Sequence, residues 1–300
     1  MRTSFINQLL EEARYNEKIF LIVGDLGYHV VEPFREAYPS RFLNIGIAEQ
    51  NMAGVAAGLA MIGYNVYIYS IGNFPTLRCL EQIRNDIAYH KVNVKIVSVG
   101  AGYAYGSLGA THQATEDIGA MRVLPNMVIA TPSDPVEAKF LAHLSANYEG
   151  PMYIRLGKAG EKIVHVNEQI SLQIGGICPI YENMVNNVAV LACGSIVHPI
   201  SQQIKKEELQ YNLYSVPFVK PINKIQLKGI IESHDKGLIT IEEHQRSCGM
   251  GSAIVELVND MYCEGIIKKY PKIKRVAIPD EFVSVVGDQN YLRDIEKLIL

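Results

Sequence analysis

Apolar and polar positions along the chain predict helices and strands in alternation. Residues 4–14 repeat apolar positions with helical spacing, and IFLIVGD (19–25) is continuously apolar before Gly-Asp, as in a buried parallel strand. Similar runs predict strands near Tyr67, at VNVKIVSVG (92–100) and at MVIATP (127–132). Because helical patterns separate these runs, the first part of the chain predicts a doubly wound α/β fold. Ligands are then expected at the carboxyl ends of its strands.

A second alternating series begins near residue 187 and predicts a smaller α/β domain. Its apolar runs predict strands at NVAVLACGS, YNLYSVPFV, GLITIEEH and IKRVAIP, with helices at 199–209 and 252–262. Periodicity is weak between the two series, which indicates a linker with short strands. We therefore predict a first domain at 1–165, a linker at 166–182 and a second domain at 183–300.

Two helices of the first domain carry useful boundary signals. SDPVEAKFLAHLSAN (133–147) predicts a helix with Ser133 or Asp134 as its N-cap. LRCLEQIRNDIAYH (77–90) predicts a helix that follows the strand near Tyr67. Both place a helix directly after a strand, as the doubly wound fold requires.

Composition and charge exclude several classes of protein. The chain has 48% apolar and 20% charged residues with a net charge of −3, and it has no basic block, so we expect no nucleic-acid partner. The first residues, MRTSFINQLLEEAR, resemble an amphipathic helix with acidic residues and not a signal peptide. The five cysteines form no C-x-x-C pair, which favours reduced thiols and a cytoplasmic location.

The segment from Gln50 to Leu77 contains no charged residue and therefore raises the question of a membrane span. It is longer than the ~20 residues that a spanning helix needs. However, Gly63-Tyr64-Asn65 and Pro75 interrupt it, which favours a helix from about Gln50 to Met61, a turn and a buried strand. We expect no membrane association.

Glu49 is the one charged residue in NIGIAEQNMAGVAAGLA (44–60). An acid in the first turn of a helix ordinarily stabilises the helix by about 0.3–1 kcal/mol, which is a purely structural role. However, Gly54 and Gly58 lie one turn apart, and a glycine inside a helix costs about 1 kcal/mol relative to alanine. We therefore expect another helix or a ligand to pack closely here, and Glu49 to be poorly solvated.

The loop VGAGYAYGSLGATHQATED (99–117) follows a predicted strand and carries four glycines before His112. A lone histidine is more often a structural loop residue than a ligand contact. The density of glycine favours a loop that is shaped around a ligand. The loop is not a G-x-G-x-x-G that opens a helix, so it does not predict a dinucleotide site.

Other candidate residues are individually weak. Phe74 and Arg78 lie around the start of a helix after a strand, and core packing or ligand contact are equally open for them. Arg155 ends a short predicted strand, and Arg2 and His29 are further candidates for an anion site.

Taken together, these stretches resemble the C-terminal two-thirds of transketolase and of 1-deoxyxylulose-5-phosphate synthase. The segment GIAEQ with its alanine- and glycine-rich helix, then GATHQATED and ATPSDPVEA, occur in the matching order and spacing. The resemblance covers nearly the whole chain and is strongest over residues 1–157. It implies a pyrimidine-binding domain for thiamine diphosphate, followed by the smaller transketolase C-terminal domain.

The resemblance implies roles for the cofactor contacts. Glu49 matches the glutamate that bonds the aminopyrimidine ring nitrogen, which promotes proton removal from the thiazolium carbon. Asp25 matches an acid beside the cofactor. Phe74 and Arg78 lie where the family packs the pyrimidine ring.

It also implies roles toward the sugar substrate. His112 matches a histidine near the reacting carbon that stabilises charge on substrate oxygens. Arg155 matches an arginine that holds the substrate phosphate, and Arg2 has a comparable spacing. His29 and Tyr105 complete the predicted substrate contacts.

One half of the family's cofactor site is missing from this sequence. The family binds magnesium and the diphosphate through a Gly-Asp-Gly motif in an N-terminal domain, and this chain contains no Gly-Asp-Gly. We therefore predict a second polypeptide that supplies this half and most of the Mg2+ contacts. The expected assembly is a heterotetramer with two copies of each subunit, in which the small residues after Glu49 lie at an interface.

The loop before His112 departs from the family pattern. Leu108 stands where both named families have an aspartate, and Gly100-Ala101 replace a basic residue. Tyr103 and Tyr105 lie in the loop instead. The sequence therefore predicts ketol transfer between sugars or sugar phosphates, with a less usual ketose as substrate.

Two alternatives to this function stay open. The first is the beta subunit of a 2-oxoacid dehydrogenase decarboxylating component, which also splits the cofactor site, although THQ followed by ED favours transketolase. The second is a non-catalytic regulatory or scaffolding subunit. The presence of both Glu49 and His112 argues against it.

Overall fold

The computed structural model describes residues 1–166 and 170–300. Its helices are α1 (Arg2–Tyr15), α2 (Glu32–Ala37), α3 (Glu49–Met61), α4 (Leu80–Gln82), α5 (Asp117–Arg122), α6 (Pro135–Ala146), α7 (Val197–Lys206), α8 (Lys224–Ser233), α9 (Met250–Cys263) and α10 (Gln289–Ile295). Its strands are β1 (Ile19–Val23), β2 (Phe42–Asn44), β3 (Asn65–Ile71), β4 (Val94–Val99), β5 (Val128–Ala130), β6 (Met152–Leu156), β7 (Cys178–Tyr181), β8 (Val188–Ala192), β9 (Tyr211–Ser215), β10 (Phe218–Lys220), β11 (Gly237–Gln245) and β12 (Ile273–Ile278).

The first sheet has seven strands in the order β10-β5-β6-β4-β3-β1-β2. Strands β1 to β6 run parallel, and β10 is antiparallel to β5. Helices α1 and α6 cover one face, where Phe5 and Leu141 join a core with Tyr67. Helix α3 covers the other face, where Met52 packs in a core with Ile68. Burial on both faces explains why these strands are continuously apolar, and it confirms the predicted doubly wound α/β fold.

The second sheet has five strands in the order β12-β11-β8-β9-β7, and β7 is antiparallel to β9. On one face, Val190 of β8 and Ile200 of α7 belong to the same core. On the other face, Leu191 of β8 and Ile254 of α9 belong to the same core. The sheet is therefore again covered on both sides. Across residues 1–166 and 170–300, every helix is too short or too polar to traverse a bilayer.

The predicted strand YNLYSVPFV (211–219) is wrong as a single element. Val216 still donates its backbone N–H to Ala192 O (2.8 Å) in the second sheet, but Pro217 has no N–H to continue the ladder. The carbonyl of Pro217 instead accepts from Thr131 N (2.8 Å), and β10 then pairs with β5 in the first sheet. A strand from the second half of the chain thus extends the first sheet.

Two other predictions are altered in detail. The helix predicted at 77–90 consists of a 3-10 turn at Leu77–Cys79, the short α4, and a π-helical segment at Ile83–Ala88. Within the predicted linker at 166–182, residues 167–169 lie outside the described residues, and Cys178–Tyr181 forms β7 at the edge of the second sheet. The predicted N-cap of α6 is Asp134, whose side chain accepts from Glu137 N at 2.8 Å.

Candidate functional site

The carboxyl ends of β1, β3 and β4 lie at the same edge of the first sheet because these strands are parallel neighbours. Gly24 and Asp25 follow β1, and Phe74 comes shortly after β3. The loop after β4 carries His112, and Glu49 is the first residue of α3. The topology thus brings candidates from four separate stretches of sequence to one edge.

Glu49 is buried, with 1% of its surface exposed. Its Oε2 accepts a hydrogen bond from Arg78 Nη1 at 2.7 Å, and its Oε1 accepts from Ser70 Oγ at 3.4 Å. Gly24 packs beside Glu49, because a Cβ built there would lie 3.6 Å from Glu49 Oε1, at van der Waals contact. The expectation of a poorly solvated carboxylate at the start of α3 is therefore confirmed.

Phe74 lies between the side chains of Arg78 and His112. The Arg78 guanidinium carbon is 4.3 Å from the centroid of the Phe74 ring, which is a cation–π distance. The His112 ring lies on Phe74 with a centroid distance of 5.4 Å and a nearly edge-on geometry. Asn73 Nδ2 donates to Gln113 O at 2.6 Å and joins the two loops. Glu49, Arg78, Phe74 and His112 therefore form one continuous cluster, which we call the Glu49 cluster.

Asp25 lies beside this cluster, next to Gly24. It adopts a left-handed backbone conformation (φ 56°), and it exchanges two hydrogen bonds with Asn44. The Asn44 amide donates to Asp25 Oδ1 at 2.9 Å, and Asp25 N donates to Asn44 Oδ1 at 3.2 Å. Asn44 ends β2, so this pair fixes the turn after β1.

Arg2, Tyr105 and His29 do not join the Glu49 cluster. Arg2 and Tyr105 lie on the side of the first sheet that faces away from Glu49, and His29 is exposed in a loop. Successive residues of β3 point to opposite faces, so Ser70 contacts Glu49 while Tyr69 lies near Arg2. Burial raises the pKa of Tyr105, and the nearby Arg2 guanidinium partly opposes this increase. His29 is exposed in the loop after β1, with a φ of 63°.

Arg155 is not placed as the resemblance implied. It is 2% exposed, and it forms a bidentate ion pair with Asp117 through Nε–Oδ2 (2.8 Å) and Nη2–Oδ1 (3.2 Å). Its Nη2 also donates to Ala114 O at 2.5 Å and to Glu243 O at 3.0 Å. The structure does not support the predicted phosphate contact, because the guanidinium is buried and already neutralised.

Sequence reasoning missed several polar partners of the site. Ser70 was a detectable signal, because it is a polar residue near the carboxyl end of an otherwise apolar strand. Asn44 stands at the start of segment 44–60 but has no motif of its own. Asp117 and Asn73 become partners only through the fold, and nothing local in the sequence marks them.

Comparison with known families identifies the two halves of the chain. Residues 1–160 match the family model described as transketolase, pyrimidine binding domain, and residues 182–292 match transketolase, C-terminal domain. The chain belongs to the transketolase family. The resemblance of the sequence to this thiamine-diphosphate-dependent family is therefore confirmed.

Three proteins similar to this chain differ in the share of their own length that the chain covers. It is 32% identical to a subunit of the apulose-4-phosphate transketolase of Phocaeicola vulgatus, over 94% of this chain and 88% of the relative. It is 33% identical to 1-deoxy-D-xylulose-5-phosphate synthase of Dictyoglomus thermophilum, over 87% of this chain but 41% of that enzyme. A solved structure named split gene transketolase, inactive beta4 tetramer, superimposes with a TM-score of 0.84 at 32% identity, covering 99% of this chain and 93% of the other.

The Glu49 cluster fits the aminopyrimidine half of thiamine diphosphate. A buried carboxylate beside an aromatic ring suits a flat heterocycle with a basic ring nitrogen, and Glu49 and Phe74 supply these two features. Within the described residues, no group of three or more His, Cys, Asp or Glu side chains is arranged to hold a metal ion.

Proposed function

We propose that this chain is one subunit of a thiamine-diphosphate-dependent transketolase that transfers a two-carbon ketol unit between sugars or sugar phosphates. The observation that carries the proposal is the burial of Glu49 within hydrogen-bond distance of Arg78 and Ser70, at the sheet edge where His112 also lies. A carboxyl group in this setting is suited to share a proton with a ring nitrogen.

The residues of the Glu49 cluster divide the work between cofactor and substrate. When bound, the cofactor supplies the nucleophile for ketol transfer. Glu49 would hold the proton at the pyrimidine ring nitrogen, and Phe74 with Arg78 would orient the ring and exclude water. Asp25 would lie beside the bound ring, next to Gly24. His112 would donate a hydrogen bond to substrate oxygens from its place on the other side of Phe74.

We further propose that a second polypeptide carries Gly-Asp-Gly and binds the diphosphate and Mg2+, in a heterotetramer with two copies of each subunit. The absence of Gly-Asp-Gly from the sequence supports this, as does the likeness over most of its length to a protein named as one transketolase subunit. The related solved structure is named as an inactive beta4 tetramer, which agrees with a chain that needs a different partner for activity. Gly54 and Gly58 face open space on α3, so a partner helix could approach there closely.

The experiment is a calorimetric titration of thiamine diphosphate with Mg2+ into three samples. These are this chain alone, its mixture with a transketolase N-terminal subunit that carries Gly-Asp-Gly, and the same mixture with Glu49→Ala. We expect tight binding and ketol transfer only in the unmodified mixture. Tight binding by the chain alone would contradict the split site, and full activity of Glu49→Ala would favour a scaffolding role. Turnover of a 2-oxoacid with a lipoyl acceptor would favour the dehydrogenase alternative.

The substrate is proposed to be a less usual ketose, with Arg2, His29 and Tyr105 as contacts. Leu108 is 55% exposed in the loop that carries His112, where the named families have an aspartate. Lys158 adds a positive charge near Tyr105, with its Nζ 5.1 Å from the ring centroid. Turnover of xylulose 5-phosphate at rates typical of transketolase would contradict this proposal.

A further inference from the structure

The loop that carries His112 is attached to the second sheet by the last residues of β11. Glu243 Oε1 accepts a hydrogen bond from the backbone N–H of Tyr103 at 2.5 Å. Two residues further along β11, Gln245 N donates to Thr115 O at 2.7 Å. Tyr103 and Thr115 lie on opposite sides of His112 in the sequence, so both ends of the loop are held by one strand.

The two ends of this loop are also bonded to each other. Gly102 N donates to Ala114 O at 2.9 Å, and Ala114 N donates to Gly102 O at 3.0 Å. Gly102 has a φ of 57°, and a Cβ at this position would lie 2.3 Å from Glu243 Oε1. The close approach of Glu243 to the loop therefore requires glycine at position 102, both for space and for backbone conformation.

Glu243 is itself fixed from the other side by α10. It is 4% exposed, and its Oε1 also accepts from Gln289 Nε2 at 2.8 Å, while its Oε2 accepts from Arg293 Nε. Arg293 Nη2 continues to Ser195 Oγ at 2.8 Å. A buried carboxylate with partners on both oxygens has little freedom to move, so it can define the position of the Tyr103 amide.

We propose that Glu243 is a positioning residue for His112, acting through the Tyr103 amide and the Gly102–Ala114 bridge. The inference rests on the proposed function of His112. It gives the second sheet a part in ketol transfer, although Glu49, Phe74 and Arg78 all lie at the edge of the first sheet. A displacement of about 1 Å in a reacting group can lower a rate about 100-fold, so a looser loop should slow the reaction.

Glu242 offers a matched control on the same strand. It is also buried (1% exposed), but its oxygens accept from Met250 N at 2.5 Å and from Gly251 N at 2.8 Å. These bonds hold the start of α9 and leave the His112 loop untouched. Glu242→Gln therefore disturbs a buried glutamate of β11 without releasing Tyr103.

The first test is amide hydrogen exchange of the isolated chain, which requires neither partner nor activity. A glutamine at position 243 accepts through one atom only. Either the Tyr103 bond is lost directly, or the Arg293 bond that fixes the side chain is lost, and both outcomes weaken the hold on the Tyr103 amide. We expect Glu243→Gln to raise exchange in peptides spanning 101–115 by about tenfold or more, with unchanged exchange in α9. Glu242→Gln should show the reverse pattern. Unchanged loop exchange in Glu243→Gln, or an equal rise in both variants, would overturn the proposal.

The second test separates positioning from folding in the reconstituted enzyme. Glu243→Gln should lower kcat by about tenfold or more while the affinity and stoichiometry of thiamine diphosphate stay unchanged, because Glu243 does not contact Glu49, Phe74 or Arg78. A loss of cofactor-binding stoichiometry in proportion to kcat would indicate unfolding and contradict a positioning role. If Glu243→Gln does not fold, Gln289→Leu removes one donor to Glu243 and should give a smaller rise in loop exchange, and no rise would refute the proposal.

The two tests also distinguish this inference from the proposed function. An inactive wild-type mixture would count against ketol transfer, whereas the exchange measurement would still decide whether Glu243 controls the loop. An active mixture in which Glu243→Gln retains full kcat would leave ketol transfer intact and reject the positioning role.

Discussion

Arg78 donates a hydrogen bond to the Glu49 carboxylate at 2.7 Å, although Arg78 is 43% exposed and Glu49 is 1% exposed. The pair therefore joins a buried acid to a cation at the surface of the site. It connects the start of α3 to the segment after β3, which are 29 residues apart in sequence. Such an arrangement orients the Glu49 carboxylate while the site edge stays open on the Arg78 side.

Glu49→Gln is expected to lower kcat of the reconstituted enzyme by about 10²–10⁴, because glutamine cannot hold the transferable proton. Ketol transfer measured at saturating substrate and cofactor checks this. Glu81→Gln is the control, since Glu81 is an exposed acid on the same segment as Arg78. Retention of more than half of the wild-type kcat by Glu49→Gln would refute the role of Glu49.

Arg78→Met is expected to destabilise the chain by about 1–2 kcal/mol, because it leaves the Glu49 carboxylate buried without its cation. The value lies below that of a fully buried pair because solvent screens the exposed guanidinium. Urea unfolding of the single variants and of the double variant with Glu49→Gln measures the coupling. Strict additivity of the two single effects would show that the pair is not coupled.

Arg155→Met is expected to destabilise the chain by about 3–5 kcal/mol, because it strands the buried Asp117 carboxylate. Asp117 Oδ2 would retain only the Tyr153 hydroxyl among its present partners. Denaturant unfolding checks this, with Arg14→Met as control for an exposed pair (Arg14–Glu11), where the change should stay within about 0.5 kcal/mol. Similar effects of both variants would argue that the Arg155–Asp117 pair is not structural.

The stability of the chain should depend on the protonation of His165. Burial lowers the pKa of His165, but its hydrogen bond with Glu137 (2.8 Å) and the charges of Glu137 and Asp134 outweigh this and raise the pKa above 6.5. A raised pKa means that the folded state binds the proton more tightly than the unfolded state. The stabilisation is therefore complete below pH 6.5 and is lost as the pH rises through the raised pKa.

Urea unfolding from about pH 5.5 to about pH 8.5 tests this dependence. Wild type should lose stability across the upper part of this range. His165→Gln should lose less stability because glutamine does not titrate at position 165. Equal pH dependence of the two proteins would exclude His165 as the source.

Much of the fold followed from local pattern. Continuous apolar runs predicted β1, β3 and β4 because parallel strands are buried on both faces, and the small-residue helix predicted α3 closely. The carboxyl ends of these strands meet by topology, so the Glu49 cluster could be anticipated once the strands were known. Phe74 and Arg78 were open between two roles in the sequence, and their contacts place them in this cluster.

The remaining features depend on contacts between distant residues. Tyr103 and Glu243 are 140 positions apart, and β10 leaves one sheet for the other at Pro217. The resemblance implied that Arg155 holds the substrate phosphate, but in the fold its guanidinium is paired with Asp117. By itself, the sequence determined the periodic elements and the single acid at the start of α3, because burial imposes these patterns locally. Only the tertiary structure decided which polar groups pair, because strand order and loop closure set those distances.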